Sequence, residues 1–174
     1  GNGGPPAGIS PRRRVAPGGP LMRTVDSLRM RAPVERVFEA ARSVERWPEW
    51  LGHYRWVRML ERHGDAGVVE MAAWRPFGPL RYPTWWVSEM WVDRGTPAVH
   101  YRHVRGITTG MDVVWSIRPA GEETDVTIVH EWSGPGWPLI GKLAAEAVIG
   151  PVFVHGIASR TLEGIRREVE RAHA

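Results

Sequence analysis

The chain has 174 residues, 43% apolar and 24% charged, which suits one soluble domain with a real core. It has no cysteine, so disulfides and thiol chemistry are excluded, and no apolar run is long enough to span a bilayer. Three of the four net positive charges sit in Arg12–Arg14, leaving the remainder close to neutral, and no strand or helix carries a basic stripe of the kind that tracks a phosphate backbone.

Residues 1–21 are rich in glycine, proline and arginine and read as a flexible leader; residues 22–174 read as a single domain. Without a secretory h-region in the N-terminal stretch, a cytoplasmic location is expected. Arg23 to Met30 alternates and predicts an opening strand. Pro33 suits the first turn of a helix through Val34, Val37, Phe38 and Ala41. Pro48 cannot lie deep in a helix, so Val44, Trp47, Trp50 and Leu51 belong to a second short one. Strands are then predicted over 54–62, 68–75, 84–92, 98–105, 111–118 and 126–133, separated by Gly, Pro and Asp clusters at hairpin spacing. Leu139 to Ile149 is helix-compatible, Gly150-Pro151 interrupts it, and 152–172 predicts a long helix with Val152, His155, Ser159, Leu162, Ile165 and Val169 on one face. The fold class is α+β: a curved antiparallel sheet of about seven strands wrapped around a long C-terminal helix, with two short helices after the first strand. Such a sheet leaves room for a ligand between itself and the helix.

Ten tryptophans stand out. Period-2 parity places Trp86, Ser88 and Met90 on one face and Trp85, Val87 and Trp91 on the other. The stretches "RAPVERVFEAARSVERWPEWLGHY", "WVSEMW", "YRHVRGITTGMDVVW" and "SRTLEGIRREVE" resemble, in order and spacing, the START-like helix-grip (SRPBCC) superfamily, in its polyketide cyclase/dehydrase and lipid-transport branch. The resemblance implies a hydrophobic cavity between sheet and helix. Among the aromatase/cyclases of that branch, a cavity tyrosine falls on Tyr54, an arginine on Arg102, tryptophans on Trp86 and Trp115, and a serine on Ser88. The arginine those enzymes place beside the serine falls here on Met90.

With Tyr54, Trp86 and Arg102 taken as inward-facing, parity adds Trp56, Thr84, Ser88, Met90, His100, Val113, Trp115, Ile128, His130 and Trp132. Trp74 joins the ligand-facing aromatics, and His155 either lines or caps the cavity. The expected catalytic set is Arg102 as oxyanion stabiliser, with Tyr54 and His130 as proton carriers. Arg102 is equally able to pair with Glu70 or Glu131. No metal-ligand spacing, Walker loop or dinucleotide fingerprint is present, so no cofactor is expected.

Three readings follow. The first is a catalyst that cyclises or aromatises a polyketide-like molecule, favoured by Tyr54 and Arg102 occurring together. The second is a carrier or sensor of a lipid, quinone or isoprenoid, favoured by Met90, with Arg102 held in a salt bridge. The third is an interaction module whose outward residues Trp85, Trp91, Tyr101 and Val114 form a homodimer or partner surface. The expected partner is a hydrophobic small molecule rather than nucleic acid.

Overall fold

The computed structural model describes residues 22–77, 79–106, 108–133 and 151–171, with side chains omitted at 75–77, 82 and 151–153. The expected leader and the helix-compatible stretch 139–149 lie outside the described residues. Seven strands run in the order expected: β1 (Met22–Met30), β2 (Tyr54–His63), β3 (Ala66–Phe77), β4 (Leu80–Asp93), β5 (Ala98–Gly106), β6 (Asp112–Ala120) and β7 (Glu123–Trp132). They form one antiparallel sheet in the order β1-β7-β6-β5-β4-β3-β2. Consecutive strands pair as hairpins from β2 to β7, and β1 closes onto β7. β3 and β4 run two to four residues further than the alternation predicts, past Pro76 and Pro83, because they pair with each other as a ribbon.

The two short helices are α1 (Val34–Arg42) and α2 (Trp47–Trp50), joined by a 3-10 turn at Val44–Arg46. Pro33 is the residue before α1, in extended conformation, and its carbonyl accepts from the amides of Arg36 and Val37. Pro48 stands in the first turn of α2, where it costs no hydrogen bond. Trp47, 2% exposed, donates from Nε1 to the Ala40 carbonyl at 3.1 Å and so ties α2 to α1.

The long helix α3 (Pro151–Arg171) buries Val154, Ala158, Thr161, Leu162, Ile165 and Val169 against the concave face of the sheet. This corrects the expected face at one end: His155 is exposed and Val154 is buried. Gly164 lets α3 approach α2, because a Cβ there would collide with the Leu51 side chain. Apolar burial over this single core, from Met30 to Val169, holds sheet and helices together.

Candidate active site

A cavity open to solvent on one side lies between the concave face and α3. Its wall is a chain of rings. Trp115 and Trp47 have centroids 5.4 Å apart, Trp47 meets Tyr54 edge-on at 5.4 Å, and Tyr54 meets Trp86 edge-on at 6.2 Å. Trp86 then lies parallel to His103, at 5.7 Å and 4°. Met71, Val113 and Ile128 from the sheet, Met111 from the turn before β6, and Val154, Ile157 and Ala158 from α3 add apolar surface.

The polar groups in this wall are few and uncharged. Among the described lining residues there is no acid, lysine or arginine. His103 exchanges a hydrogen bond with the Thr108 hydroxyl at 2.6 Å, and burial, assisted by nearby His130, lowers its pKa to about 3. Burial lowers that of His130 to about 4, and its Nδ1 is shielded without a partner. The Tyr101 hydroxyl is likewise buried without a partner, and burial raises its pKa. The Tyr54 phenol is also pushed up by burial. At neutral pH both imidazoles and both phenols are therefore neutral. Two buried polar atoms without a hydrogen bond cost stability, and a ligand carbonyl or hydroxyl would relieve that cost. A group of three or more metal-ligating side chains is absent among the described residues.

Of the residues singled out in the sequence, Tyr54, Thr84, Trp86, Val113, Trp115, Ile128 and His130 line the cavity. Arg102 does not. It lies on the convex face, opposite Asp112 in the β5–β6 register, and its Nε donates to Asp112 Oδ1 at 2.9 Å. β5 turns its odd-numbered residues Val99, Tyr101 and His103 inward, so Tyr101, expected outside, is inside, and His100, expected inside, stacks on Trp91 outside at 5.1 Å.

A β-bulge between Tyr54 and Trp56 reverses parity along β2. Trp56 therefore faces outward and donates to Glu70 at 3.1 Å. Trp74 faces a separate cleft against α3. Ser88 points inward with its Oγ buried and unpartnered, but lies outside the cavity lining, and Met90 instead floors a surface depression beside Val44 and Met59. Trp132 is buried in the core, with Nε1 donating to the Thr109 carbonyl. His155 pairs with Asp26 of β1 away from the cavity.

The polar lining residues that sequence reasoning missed include Tyr101, His103, Thr108 and Thr161, and Trp85, expected on the outer face, also contributes to the lining. For the first two a signal existed: in "AVHYRHVRG" the odd positions Val99 and Tyr101 are the more apolar set.

Residues 30–152 match the family described as "Polyketide cyclase / dehydrase and lipid transport". The chain belongs to that family. It is a START-like helix-grip protein, and 86% of it superposes on 98% of a START superfamily protein from Mycobacterium smegmatis at TM-score 0.67 and 14% identity. The Zhui aromatase/cyclase from Streptomyces sp. R1128 superposes at TM-score 0.72 and 16% identity, covering 88% of this chain and 96% of that one. The actinorhodin polyketide synthase bifunctional cyclase/dehydratase of Streptomyces coelicolor is 30% identical over 113 residues, 64% of this chain. That match spans only 34% of the Streptomyces protein, so the chain corresponds to about a third of it.

Proposed function

We propose that the cavity binds a flat, uncharged, oxygen-bearing aromatic molecule of the polyketide type. The observation that carries this reading is the pair of buried, unpartnered polar atoms, Tyr101 Oη and His130 Nδ1, set in a wall of tryptophans. Indole faces stack on a flat ring system, and a small side-chain shift that uncovers the two polar atoms would let them bond carbonyl or hydroxyl groups on it. A fatty acid fits less well, because its carboxylate meets no cation among the described lining residues. Membership of a family described by both polyketide cyclases/dehydrases and lipid transport accommodates this ligand class, and a lipid equally.

The position of Arg102 bears on chemistry. Paired with Asp112 on the convex face, it stabilises no oxyanion in the cavity. Binding without turnover is thus the simpler reading. A second reading adds catalysis and rests on His103 and His130 lining the same cavity, with His130 among the causes that lower the His103 pKa. A neutral imidazole takes the acidic proton between two ketone groups, and the neighbouring groups steady the resulting enolate until a ring closes or water leaves.

The test is native mass spectrometry and calorimetric titration with a hydroxylated anthraquinone and with palmitate. Preference for the anthraquinone, weakened in Tyr101→Phe, supports the proposal. Preference for palmitate overturns it in favour of a lipid carrier. Turnover of a poly-β-ketone that Arg102→Ala leaves intact and His103→Ala abolishes would establish the second reading.

A further inference from the structure

Outside the cavity, the fold assembles a cationic cleft that no stretch of the sequence displays. Arg55 and Arg58 lie over the Trp56 ring at 4.7 and 5.4 Å, while Arg55 and Arg81 lie over Trp74 at 4.7 and 5.2 Å. The result is an alternating run, Arg58–Trp56–Arg55–Trp74–Arg81, crossing β2, β3 and β4. Facing Trp74 and Arg81 across a cleft of about 930 Å³, counted to its open side, α3 presents Arg160 and Arg167. The glutamate there, Glu163, is engaged by Arg166 at 2.7 Å, and Glu70 is shared by the Trp56 and Trp85 indoles. Among the described residues, Arg81, Arg160 and Arg167 make no ion pair with a carboxylate. The indole of Trp74 holds the Arg81 guanidinium at the cleft, and Arg160 and Arg167 reach the same cleft from α3.

The geometry points to a phosphate-binding site in this cleft, with Arg81, Arg160 and Arg167 as its donors. Three unneutralised guanidiniums match the charge of a phosphate monoester or diphosphate better than that of a single carboxylate, and phosphate takes bidentate contacts from each.

His53 forms the floor and reports on the site. Thr161 Oγ1 gives its proton to the Ile157 carbonyl at 2.8 Å, so it accepts from His53 Nε2 at 2.9 Å. Burial and the charges of Arg160 and Arg167 hold the His53 pKa at about 4. Phosphate in the cleft offsets those charges and must raise it.

The probe is inorganic pyrophosphate, titrated by calorimetry at pH 7 and followed by NMR of the His53 ring. Expected are a dissociation constant below about 1 mM, loss of at least tenfold in Arg160→Gln/Arg167→Gln, no change in the distant Arg94→Gln, and a rise in the His53 pKa on binding. Sedimentation with phosphatidic acid vesicles separates the sources. Vesicle binding that pyrophosphate competes away identifies a lipid headgroup; pyrophosphate binding without vesicle binding identifies a soluble phosphate ester. The inference is overturned if neither probe binds, if the double variant binds pyrophosphate as well as the parent chain, or if His53 does not respond. It does not depend on what fills the cavity, and an empty cavity would leave it standing.

Discussion

Trp86 lies parallel to His103, ring centroids 5.7 Å apart and planes 4° apart, inside the wall that separates sheet from helix. The two residues come from adjacent strands, and the register shift between Val87 and Ser88 sets them beside one another. The indole covers one face of the imidazole and excludes water from it, and burial is the main reason His103 stays neutral. One packing contact thus shapes the cavity wall and helps keep a buried imidazole in it uncharged.

That neutrality gives stability a pH dependence. His103 and His130 have folded-state pKa values of about 3 and about 4, below the ordinary 6.5. Between those values and 6.5 the unfolded chain binds more protons than the folded one, so stability rises with pH across the window. Full stability is present above about pH 6.5 and is lost progressively as pH falls to about 4, at up to about 1.4 kcal/mol per pH unit for each histidine. Urea unfolding at pH 7, 5.5 and 4.5 should show this loss, and His130→Leu should make the decline shallower. A decline of equal steepness in the variant would contradict the assignment.

The orphan polar atoms predict a separation of stability from binding. Tyr101→Phe removes a buried hydroxyl that makes no hydrogen bond, and His130→Leu removes a ring whose Nδ1 makes none. Neither variant loses an internal partner, so each should be as stable at pH 7 as the parent chain or more stable by about 1 kcal/mol. Affinity for an oxygenated aromatic ligand should fall about tenfold in either, the worth of one buried hydrogen bond. Thermal unfolding and calorimetric titration of the same preparations check both halves. A clear loss of stability would mean that these atoms are satisfied internally.

Strand order, the paired short helices and the closing helix were legible because hydrophobic period and Gly/Pro punctuation report local structure. The family resemblance puts Tyr54, Trp86 and Trp115 in the cavity, and parity run from such anchors adds His130. Parity failed wherever a residue count did. The bulge after Tyr54 turns Trp56 outward, and no local signal in "HYRWVRM" marks it. On β5, anchoring on Arg102 fixed the wrong parity, although Val99 and Tyr101 carried the opposite pattern. The arginine cleft was invisible for another reason: its members come from β2, β4 and α3 and meet only after the sheet closes on the helix.

Arg102 tests the distinction between position and likeness. Its ion pair with Asp112 is cross-strand and about two-fifths exposed on each side. Exposed pairs of this kind contribute about 0–1 kcal/mol. Arg102→Ala should therefore change stability by less than about 1 kcal/mol and leave ligand affinity and any turnover unaltered. A double-mutant cycle with Asp112→Ala should return a coupling in the same small range. A hundredfold loss of activity would place the guanidinium in the cavity after all.

Gly106 ends β5 with φ of +97°, a region that disfavours any residue carrying a Cβ. A Cβ at this position would stand 2.5 Å from the Trp85 carbonyl oxygen and 3.0 Å from the Trp86 Cα. Both obstacles are backbone of β4, so no rotamer change relieves them. Gly106 also pairs with Trp86 in the sheet, and its carbonyl accepts from the amide and hydroxyl of Thr109, which shape the turn carrying Thr108. Gly106→Ala must either strain the backbone or push β5 away from β4 beside the cavity wall. The expected cost is about 2 kcal/mol or more in urea unfolding. Because displacement acts on Trp86 and Thr108, the folded fraction should also bind ligand less tightly, with altered tryptophan fluorescence. Gly121→Ala, also at positive φ but with open space around it, is the control. It should lose about 1 kcal/mol from conformational strain and keep its affinity. Equal affinity in both variants would show that the β4–β5 contact at Gly106 does not govern the cavity.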